Sequence, residues 1–543
     1  MASTHPNRLT TTIRTAEGLV EGIRGRRSRR GTVAWLGIPY AAPPVGGGRF
    51  DAPQPVAPWP GVRECKKYGD AVIQDKMMAA TGVGRFQPMS EDCLTLNVFS
   101  PDKHSDRLRP VMVFIHGGAY IMGTTATPLY DGTHLARSQD VVVVTIQYRF
   151  GAFGMLDFSA YSTPERHFDE NPGLKDHIAA LQWVQRNIGA FGGDPDNVTI
   201  FGESAGGSSV LTMMATPAAR GLFARAIAES PAADLVISKE SAALFADEFL
   251  RLLADPDRRS TDVENRPEPF SPDEARRLLD GASATEIYRA GNRLQGFARH
   301  APTADPFPYG PVSGGDSLPQ APLDAARDGA TAPVPLIIGT NRDEGMLFAK
   351  FWNILPDPQR TLLRVEDQAA RDEIVNSYDG GAEASAADRV RLAADGIFWA
   401  PVVGFADAHR KVAPTYVYRY DYFTKALAKA GVGATHATEL FAVFGAYRTP
   451  LFGSLAAGDW KAAGRIIAEV QGRWGAFARS SVPDQQWPVY DADTCSVLII
   501  DRTIRVDSDP DASRREAWGR GRFTALAAAG SPDRPDGIGV ISG

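Results

Sequence analysis

The fold of this chain is decided by the stretch Val198-Thr199-Ile200-Phe201-Gly202-Glu203-Ser204-Ala205-Gly206-Gly207-Ser208-Ser209. A β-branched run leads into a Gly-x-Ser-x-Gly pattern, and residues that can form a helix follow it. Because glycine has no Cβ, Gly202 and Gly206 permit a sharp turn from strand to helix that holds Ser204 in a strained backbone state. The stretch predicts a nucleophile elbow, and a plain glycine-rich turn is the alternative.

Size and composition favour a globular enzyme. The chain has 543 residues, which predicts two or three domains or one large domain with insertions. Hydrophobic residues make up 43% and charged residues 22%, as in soluble globular proteins. The net charge of −6 gives no reason to expect a nucleic acid partner, and an enzyme acting on neutral small molecules fits better.

Cysteine usage and the amino-terminal segment predict a cytoplasmic protein. Cys65, Cys93 and Cys495 are too few for a disulfide scaffold or a zinc cluster, and buried free thiols are the favoured state. The first residues are polar and lack an apolar signal core, and no apolar run approaches the about eighteen residues of a membrane helix. Secretion remains an alternative if a leader has been removed.

Apolar runs separated by helical patterns predict an α/β fold. The strand-like runs are residues 94–99, 110–115, 141–147, 198–203, 223–229, 334–339, 415–420 and 497–500, the last predicted as an edge strand. A helical pattern covers residues 171–189. This order is typical of a mostly parallel central sheet flanked by helices.

Two segments differ in their pattern of polar and apolar residues from the sequence that is predicted to form the sheet. Residues 231–332 carry polar helical patterns at 238–254 and 272–279 and then a proline-rich stretch at 302–322, and residues 346–414 are again helical. We expect them to be insertions over the sheet. Phe348, Phe351 and Trp352 are candidate pocket residues, with burial in the core as the alternative.

A nucleophilic serine needs a histidine base oriented by a carboxylate, and in this architecture the order is serine, acid, histidine. After Ser204 the sequence contains His300, His409 and His436. His409 lies in a segment whose helical spacing predicts a solvated face. His436 lies in a glycine-rich loop before an apolar helix, so it is the predicted base.

The acid and the oxyanion donors are expected after two other core strands. Residues 339–345 read Gly-Thr-Asn-Arg-Asp-Glu-Gly, and spacing does not choose between Asp343 and Glu344. Backbone N–H groups must already point at the developing oxyanion. Ala205 and the segment His116-Gly117-Gly118-Ala119 are the predicted source of these donors.

Further motifs span most of the chain. They are Gly37-Ile38-Pro39-Tyr40-Ala41, Ser90-Glu91-Asp92-Cys93-Leu94-Thr95-Leu96-Asn97, residues 116–119, Tyr148-Arg149, residues 171–195, the elbow, Asp343-Glu344-Gly345 and residues 436–440. With these motifs the chain resembles a type B carboxylesterase, of the cholinesterase-like branch of the α/β-hydrolases, and bacterial para-nitrobenzyl esterases in particular.

This resemblance implies one α/β-hydrolase domain over residues 1–543, with insertions at about 231–332 and 346–414 forming cap or regulatory subdomains. The catalytic positions that it implies are Ser204 as nucleophile, Glu344 as acid and His436 as base. It also implies oxyanion donors at Gly118, Ala119 and Ala205, and a possible disulfide between Cys65 and Cys93. No cofactor or metal is expected.

The implied function is hydrolysis of small to medium neutral carboxylic esters through an acyl-enzyme. An amide, carbamate or specialised xenobiotic hydrolase with the same triad is one alternative, and a non-catalytic binding relative is another. Neither a membrane nor a nucleic acid is an expected partner, and the chain is predicted to be a monomer or a weak homo-oligomer.

The sequence departs from the family pattern in three places. Asp176-His177 stands where Asp-Gln is usual, and Glu229-Ser230-Pro231 replaces Glu-Ser-Gly. No tryptophan occurs between Cys65 and Cys93, where cholinesterases place the ring that binds quaternary ammonium. Choline esters are therefore not the expected substrates.

Overall fold

The computed structural model describes residues 8–520, apart from residues 27–28, 83, 234, 259–267, 301–306, 352–354, 356–357, 363–364, 366, 379–384 and 450. Trp352 and part of the proline-rich stretch at 302–322 lie outside the described residues.

The described strands are β1 Thr12–Arg14, β2 Leu19–Glu21, β3 Ile23–Arg24, β4 Thr32–Pro39, β5 Val62–Glu64, β6 Ala80–Gly82, β7 Arg85–Phe86, β8 Thr95–Pro101, β9 Arg109–Ile115, β10 Val142–Ile146, β11 Gly193–Glu203, β12 Arg225–Glu229, β13 Leu336–Asn341, β14 Thr415–Tyr420, β15 Ser496–Ile500 and β16 Arg505–Ser508. The described α-helices are α1 Thr133–Gln139, α2 Pro172–Asn187, α3 Ala205–Ala215, α4 Lys239–Ala254, α5 Pro272–Gly281, α6 Ala284–His300, α7 Pro322–Arg327, α8 Gly345–Phe351, α9 Pro358–Leu362, α10 Gln368–Asn376, α11 Ala386–Ile397, α12 Trp399–His409, α13 Lys425–Lys429, α14 Leu440–Val443, α15 Trp460–Ser480 and α16 Ala512–Arg520.

Eleven strands form one sheet in the order β16-β15-β14-β13-β12-β11-β9-β10-β8-β4-β3. The strands from β15 to β10 in this order pair in parallel, and the pairs at both ends of the sheet are antiparallel. Every residue of β10 and β13 is buried, as expected for parallel strands covered on both faces. The predicted mostly parallel sheet is confirmed.

Alternate side chains of the central strands enter different cores on the two faces. In β9, Val111, Val113 and Ile115 belong to the larger apolar cluster, whereas Met112 and Phe114 belong to a second one. Helix α3 packs in the larger cluster, and α15 contributes Ile466, Val470 and Trp474 to the second. The carboxyl ends of the parallel strands therefore project from a rigid, two-sided core.

The prediction that residues 497–500 form the edge strand is wrong. They lie in β15, and β16 pairs antiparallel beyond it. The β16 sequence, Arg-Val-Asp-Ser, has a single strongly apolar residue and exposed ends, so hydrophobic periodicity does not reveal it.

The segment 231–332 contains the two predicted helices, α4 and α5. Two further helices, α6 and α7, follow them in the chain. Ser238 caps α4, and Ser271 with Glu274 forms a capping box at α5. Within the described residues, no helix is both long and apolar enough to cross a membrane.

The disulfide implied between Cys65 and Cys93 is absent, because both residues are buried free thiols. Cys65 follows β5, where its backbone bonds to Glu21 and Leu36. The Cys93 thiol instead lies within electrostatic reach of Asp176 and Arg149. Burial raises the pKa of the Cys65 thiol to about 11 and raises that of Cys93 as well, so both remain protonated.

Candidate active site

Ser204 occupies the turn between β11 and α3. Its φ of 59° and ψ of −124° lie in a region that residues with a Cβ rarely adopt. The turn is fixed on both sides, because the Ser204 N–H donates to Glu229 O at 2.9 Å and its carbonyl accepts from Ser208 N–H at 2.8 Å. The strained geometry is that of a nucleophile elbow.

The two elbow glycines are required by the close approach of β9. A Cβ on Gly202 would lie 2.6 Å from Ile115 O, and a Cβ on Gly206 would lie 2.0 Å from the same oxygen. Only residues without a Cβ fit at either distance. The end of β9, where the segment 116–119 begins, is therefore directly against the elbow.

His436 and Glu344 are paired by loops that follow neighbouring strands. His436 Nδ1 lies 2.6 Å from Glu344 Oε2, and Asn341 N–H donates to Glu344 Oε1 at 2.7 Å. Both side chains are buried. Because one carboxylate oxygen is held by the backbone, the other is aimed at the imidazole.

Asp343, the other acid candidate, faces elsewhere. Its carboxylate accepts from Ala434 N–H at 3.0 Å and pairs with Arg342 at 2.9 Å. Of the two candidates that spacing left open, the carboxylate in contact with His436 is thus that of Glu344.

The second nitrogen of His436 points toward the elbow. His436 Nε2 lies 3.1 Å from Glu203 Oε1, the side chain next to Ser204. This approach does not have hydrogen-bond geometry, and Nε2 makes no hydrogen bond to any described residue. The nitrogen that a serine base would use thus faces the Glu203 carboxylate without a hydrogen bond to it.

Two phenyl rings flank the imidazole. The ring of Phe348 lies 4.9 Å and that of Phe398 4.6 Å from the His436 ring, measured between centroids. Phe351, three residues farther along α8 than Phe348, is instead 59% exposed. The rings of Phe348 and Phe398 also stack on each other, 5.9 Å apart, so together they pack against the imidazole and restrict its rotation.

Three buried glutamates behind the elbow were not found from the sequence. Glu203 ends β11, Glu229 ends β12, and Glu439 follows His436 by three residues. Glu439 accepts from Ser230 Oγ at 2.9 Å and from Asn341 Nδ2, and Glu229 accepts from Trp474 Nε1 at 2.7 Å. For Glu203 and Glu229, the available signal was a strand that ends in glutamate.

These carboxyls determine the electrostatics of the site. Burial raises the pKa of Glu203, Glu229 and Glu439, and repulsion from neighbouring carboxylates, Glu344 among them, adds to the effect. Burial also opposes protonation of His436, but the charges of Glu203 and Glu344 outweigh it and raise its pKa to about 9. A proton on the imidazole is therefore strongly stabilised.

The segment 116–123 forms a tight turn beside Ser204. A Cβ on Gly117 would lie 3.0 Å from Ser204 Cβ, so this backbone touches the elbow. Gly118 O accepts from Ile121 N–H at 3.0 Å and from Met122 N–H at 3.1 Å. The N–H groups of Gly118 and Ala119 bond to no described residue, and Ala205 begins α3, where N–H groups lack helical partners.

His409 does not lie on a solvated face, so that prediction is wrong. It is fully buried, with Nδ1 2.9 Å from Thr331 Oγ1 and Nε2 2.9 Å from Val334 O. The α12 helix is covered on the side that the pattern assigned to solvent. His300 is the last residue of α6, and its side chain lies outside the described part.

The unusual pair Asp176-His177 lies behind the site in α2. Asp176 binds the Arg149 guanidinium at 2.7 and 2.8 Å. The His177 ring packs edge-on against Tyr148 at 4.4 Å, and neither of its nitrogens has a hydrogen-bond partner among the described residues. Burial, with the nearby His116, lowers the pKa of His177 to about 3.

A serine elbow at the carboxyl edge of a mostly parallel sheet places the chain among the α/β-hydrolases. A family model described as the carboxylesterase family matches residues 9–518. The chain belongs to the carboxylesterase family.

Individual relatives are similar in sequence to this chain over most of its length. The para-nitrobenzyl esterase of Bacillus subtilis strain 168 is 37% identical over 523 residues, which cover 93% of this chain and 97% of that protein. The cocaine esterase of Oryctolagus cuniculus is 35% identical over 85% of this chain and 86% of its own. A solved thermophilic PNB esterase superposes with a TM-score of 0.80 at 33% identity, covering 94% of this chain and 99% of that one.

Proposed function

We propose that this protein hydrolyses carboxylic esters, with Ser204 as nucleophile, His436 as base and Glu344 as the orienting acid. The observation that carries the proposal is the 2.6 Å pair between His436 Nδ1 and Glu344 Oε2. The other ring nitrogen of His436, Nε2, lies 3.1 Å from Glu203 Oε1 beside the serine elbow and makes no hydrogen bond to a described residue. The family to which the chain belongs supports the same reaction.

In the first half of the reaction, Ser204 Oγ attacks the ester carbonyl while His436 Nε2 takes its proton. The carbonyl oxygen becomes an oxyanion that the N–H groups of Gly118, Ala119 and Ala205 stabilise. Each such donor is worth roughly 3 to 4 kcal/mol in the transition state. The intermediate then expels the alcohol, which receives the proton from His436 and leaves an acyl-serine.

In the second half, water attacks the acyl-serine while His436 takes a proton from that water. Collapse of the second intermediate releases the carboxylic acid, and the proton returns to Ser204 Oγ. Glu344 holds the imidazole so that Nδ1–H faces it and Nε2 faces the serine. The flanking rings of Phe348 and Phe398 keep the imidazole in this orientation.

The test is a burst assay with para-nitrophenyl esters of graded acyl length. We expect one equivalent of nitrophenol per active site before the steady state, and loss of the burst when an organophosphonate labels the Ser204 peptide. Ser204→Ala should abolish both signals, while His409→Gln, in a buried histidine away from the site, should keep both. Absence of burst and label in the folded wild type would refute hydrolysis and favour a binding role.

We further propose that residues 231–332 and 346–414 are insertions of one domain and that the protein acts as a cytoplasmic monomer or weak homo-oligomer. The three buried free thiols support a reducing compartment. Cell fractionation and light scattering of the purified protein test location and mass.

A further inference from the structure

Gln74 is a buried side chain that the proposed reaction does not use. It is 3% exposed and lies in the segment 65–93, before the turn of exposed residues that includes Met77. A buried carboxamide must satisfy two donors and an acceptor, so its partners define its role.

All of these partners are backbone groups, and two belong to one residue. Gln74 Nε2 donates to Gly123 O at 2.9 Å, and Gln74 Oε1 accepts from Gly123 N–H at 2.8 Å. Nε2 also donates to Val72 O at 3.1 Å. The carboxamide thus pairs with Gly123 as a neighbouring strand would, across 49 positions of sequence.

Gly123 ends the turn 116–123, whose beginning lies against Ser204. Its φ is 126°, and a Cβ there would lie 2.5 Å from His116 Nδ1. The last residue of the turn therefore packs on the ring of the first. Displacement of Gly123 would move the backbone between them.

That backbone is strained and needs external support. Ala119 and Tyr120 have φ values of 52° and 56°, which cost roughly 1 to 3 kcal/mol each for residues other than glycine. Tyr148 OH donates to His116 O at 2.9 Å and fixes the start of the turn. Gln74 fixes its end.

We propose that Gln74 is a positioning residue for the oxyanion hole, because it holds the turn 116–123 in the conformation that aims the Gly118 and Ala119 N–H groups at the reacting carbonyl. The inference rests on the proposed ester hydrolysis. Gln74 acts through Gly123 and does not touch the substrate.

The first test compares Gln74→Met with Gln87→Met. Methionine keeps the length of glutamine but makes neither bond to Gly123. Gln87 lies in the same segment, and its Nε2 donates to Gly69 O, away from the turn. The control thus removes a side-chain hydrogen bond without altering support of Gly123.

Gln74→Met should lower the acylation rate by about 10-fold or more, since loss of one oxyanion donor costs about 100-fold or more. The dissociation constant of the ester, taken from how the burst rate saturates with ester concentration, should change less than about 2-fold, because ground-state binding does not need the oxyanion hole. Affinity for a trifluoromethyl ketone, which forms a tetrahedral adduct on serine, should fall in proportion to the rate. Gln87→Met should leave both near wild type.

A second variant, Gln74→Glu, tests the hydrogen bond to Gly123 O separately from the one to Gly123 N–H. In Gln74→Glu a protonated carboxyl can bond to both Gly123 groups, whereas a carboxylate can only accept from the N–H. The acylation rate relative to wild type should therefore fall as pH rises. A merely structural role would instead change the melting temperature without this pH-dependent ratio.

The proposal is overturned if Gln74→Met acylates within about 2-fold of wild type, or if both methionine variants lose rate and ketone affinity equally. If Gln74→Met does not fold, a flat pH ratio in Gln74→Glu overturns it. Failure of the proposed function is distinct, because wild type itself would then give no burst and no phosphonate label.

Discussion

At the scale of single residues, Glu203 should set the pH at which the enzyme becomes active. His436 must be neutral to accept the proton of Ser204, and its pKa is raised to about 9 against burial by Glu203 and Glu344. A raised pKa moves the acid limb of kcat/KM to higher pH, so its midpoint should lie above the ordinary 6.5. Glu203→Gln removes one charge and should move the midpoint by about one pH unit toward acid.

The measurement is the pH profile of kcat/KM for a neutral para-nitrophenyl ester. Glu64→Gln is the matched control, because the Glu64 side chain is 74% exposed and pairs with Lys66 at the surface. If the pH profiles of wild type, Glu203→Gln and Glu64→Gln coincide, Glu203 does not act on the pKa of His436.

His177 should make the fold sensitive to acid. Its pKa in the folded state is about 3, below the ordinary 6.5, because its ring is buried without a hydrogen-bond partner among the described residues. As pH falls, His177 therefore takes up its proton in the unfolded chain at a higher pH than in the folded protein. The free energy of unfolding thus decreases as pH falls from 6.5 toward 3. At pH 5 the loss from this residue is about 2 kcal/mol.

His177→Gln should flatten the dependence of the unfolding free energy on pH between 7 and 5, since glutamine does not titrate. His104→Gln, at a side chain that is 59% exposed, should keep the wild-type dependence. Denaturant unfolding at several pH values distinguishes the two variants, and an unchanged slope in His177→Gln would contradict the assignment.

The sequence predicts those site residues whose position follows from strand order. Ser204 follows a β-branched run with two glycines, and His436 is the histidine in a loop at the sheet edge. It does not predict Gln74 or Glu439, because their partners are backbone and side-chain groups 49 and 98 positions away. Residues that act through such distant contacts carry no local pattern.

At the scale of elements, the junction of β9, β11 and α3 depends on Gly206. A Cβ there would lie 2.0 Å from Ile115 O, which is backbone and cannot rotate away. Gly206→Ala should therefore destabilise the protein by about 1 to 3 kcal/mol and shift the elbow, lowering the burst rate. Gly472→Ala in α15, where nothing lies within 4 Å, should instead stabilise by up to about 1 kcal/mol.

The two alanine variants are compared by thermal unfolding and by burst kinetics. Opposite signs of the stability change are the expected result, because helix propensity favours alanine at both positions and only the contact differs. A neutral or stabilising effect of Gly206→Ala would mean that β9 and α3 can separate without cost.

Element prediction succeeded where hydrophobic periodicity is strong. The predicted runs in the parallel strands are mainly apolar, and α4 begins at Lys239, one residue after the start of the predicted helical pattern at 238. It failed for β16, which is short and polar. It also missed α6, although Ser283 and Glu286 form a capping box at the start of that helix. The burial of His409 depends on contacts with residues 331–334.

At the scale of the whole molecule, a third apolar cluster joins α16, the last of the described helices, to the helices α9–α12. It contains Trp518 of α16 together with Tyr378 and Trp399. These helices reach the site, since a Cβ on Gly345, next to Glu344, would lie 2.7 Å from Val390 of α11. The loop that carries the proposed acid thus rests on helices that α16 supports.

Arg514 is the charged connection within this unit. It pairs with Asp395 at 2.5 Å, and Tyr378 OH donates to the same carboxylate oxygen at 2.7 Å. Asp395 is 7% exposed, so Arg514→Met would leave a buried carboxyl without its cation. Loss of one partner of a buried pair costs about 3 kcal/mol or more, which should appear as a lower melting temperature.

The double variant Asp395→Asn/Arg514→Met separates the pair from general packing. It removes both charges and keeps similar side-chain volumes, so it should recover much of the stability that Arg514→Met loses. Because the pair supports the acid loop without touching the reacting groups, kcat per folded molecule should stay near wild type in both proteins below their unfolding transitions. A double variant as unstable as Arg514→Met would show that Arg514 stabilises α16 through its other contacts, the ion pair with Asp511 and the packing on the Trp399 ring at 4.9 Å, and not through Asp395.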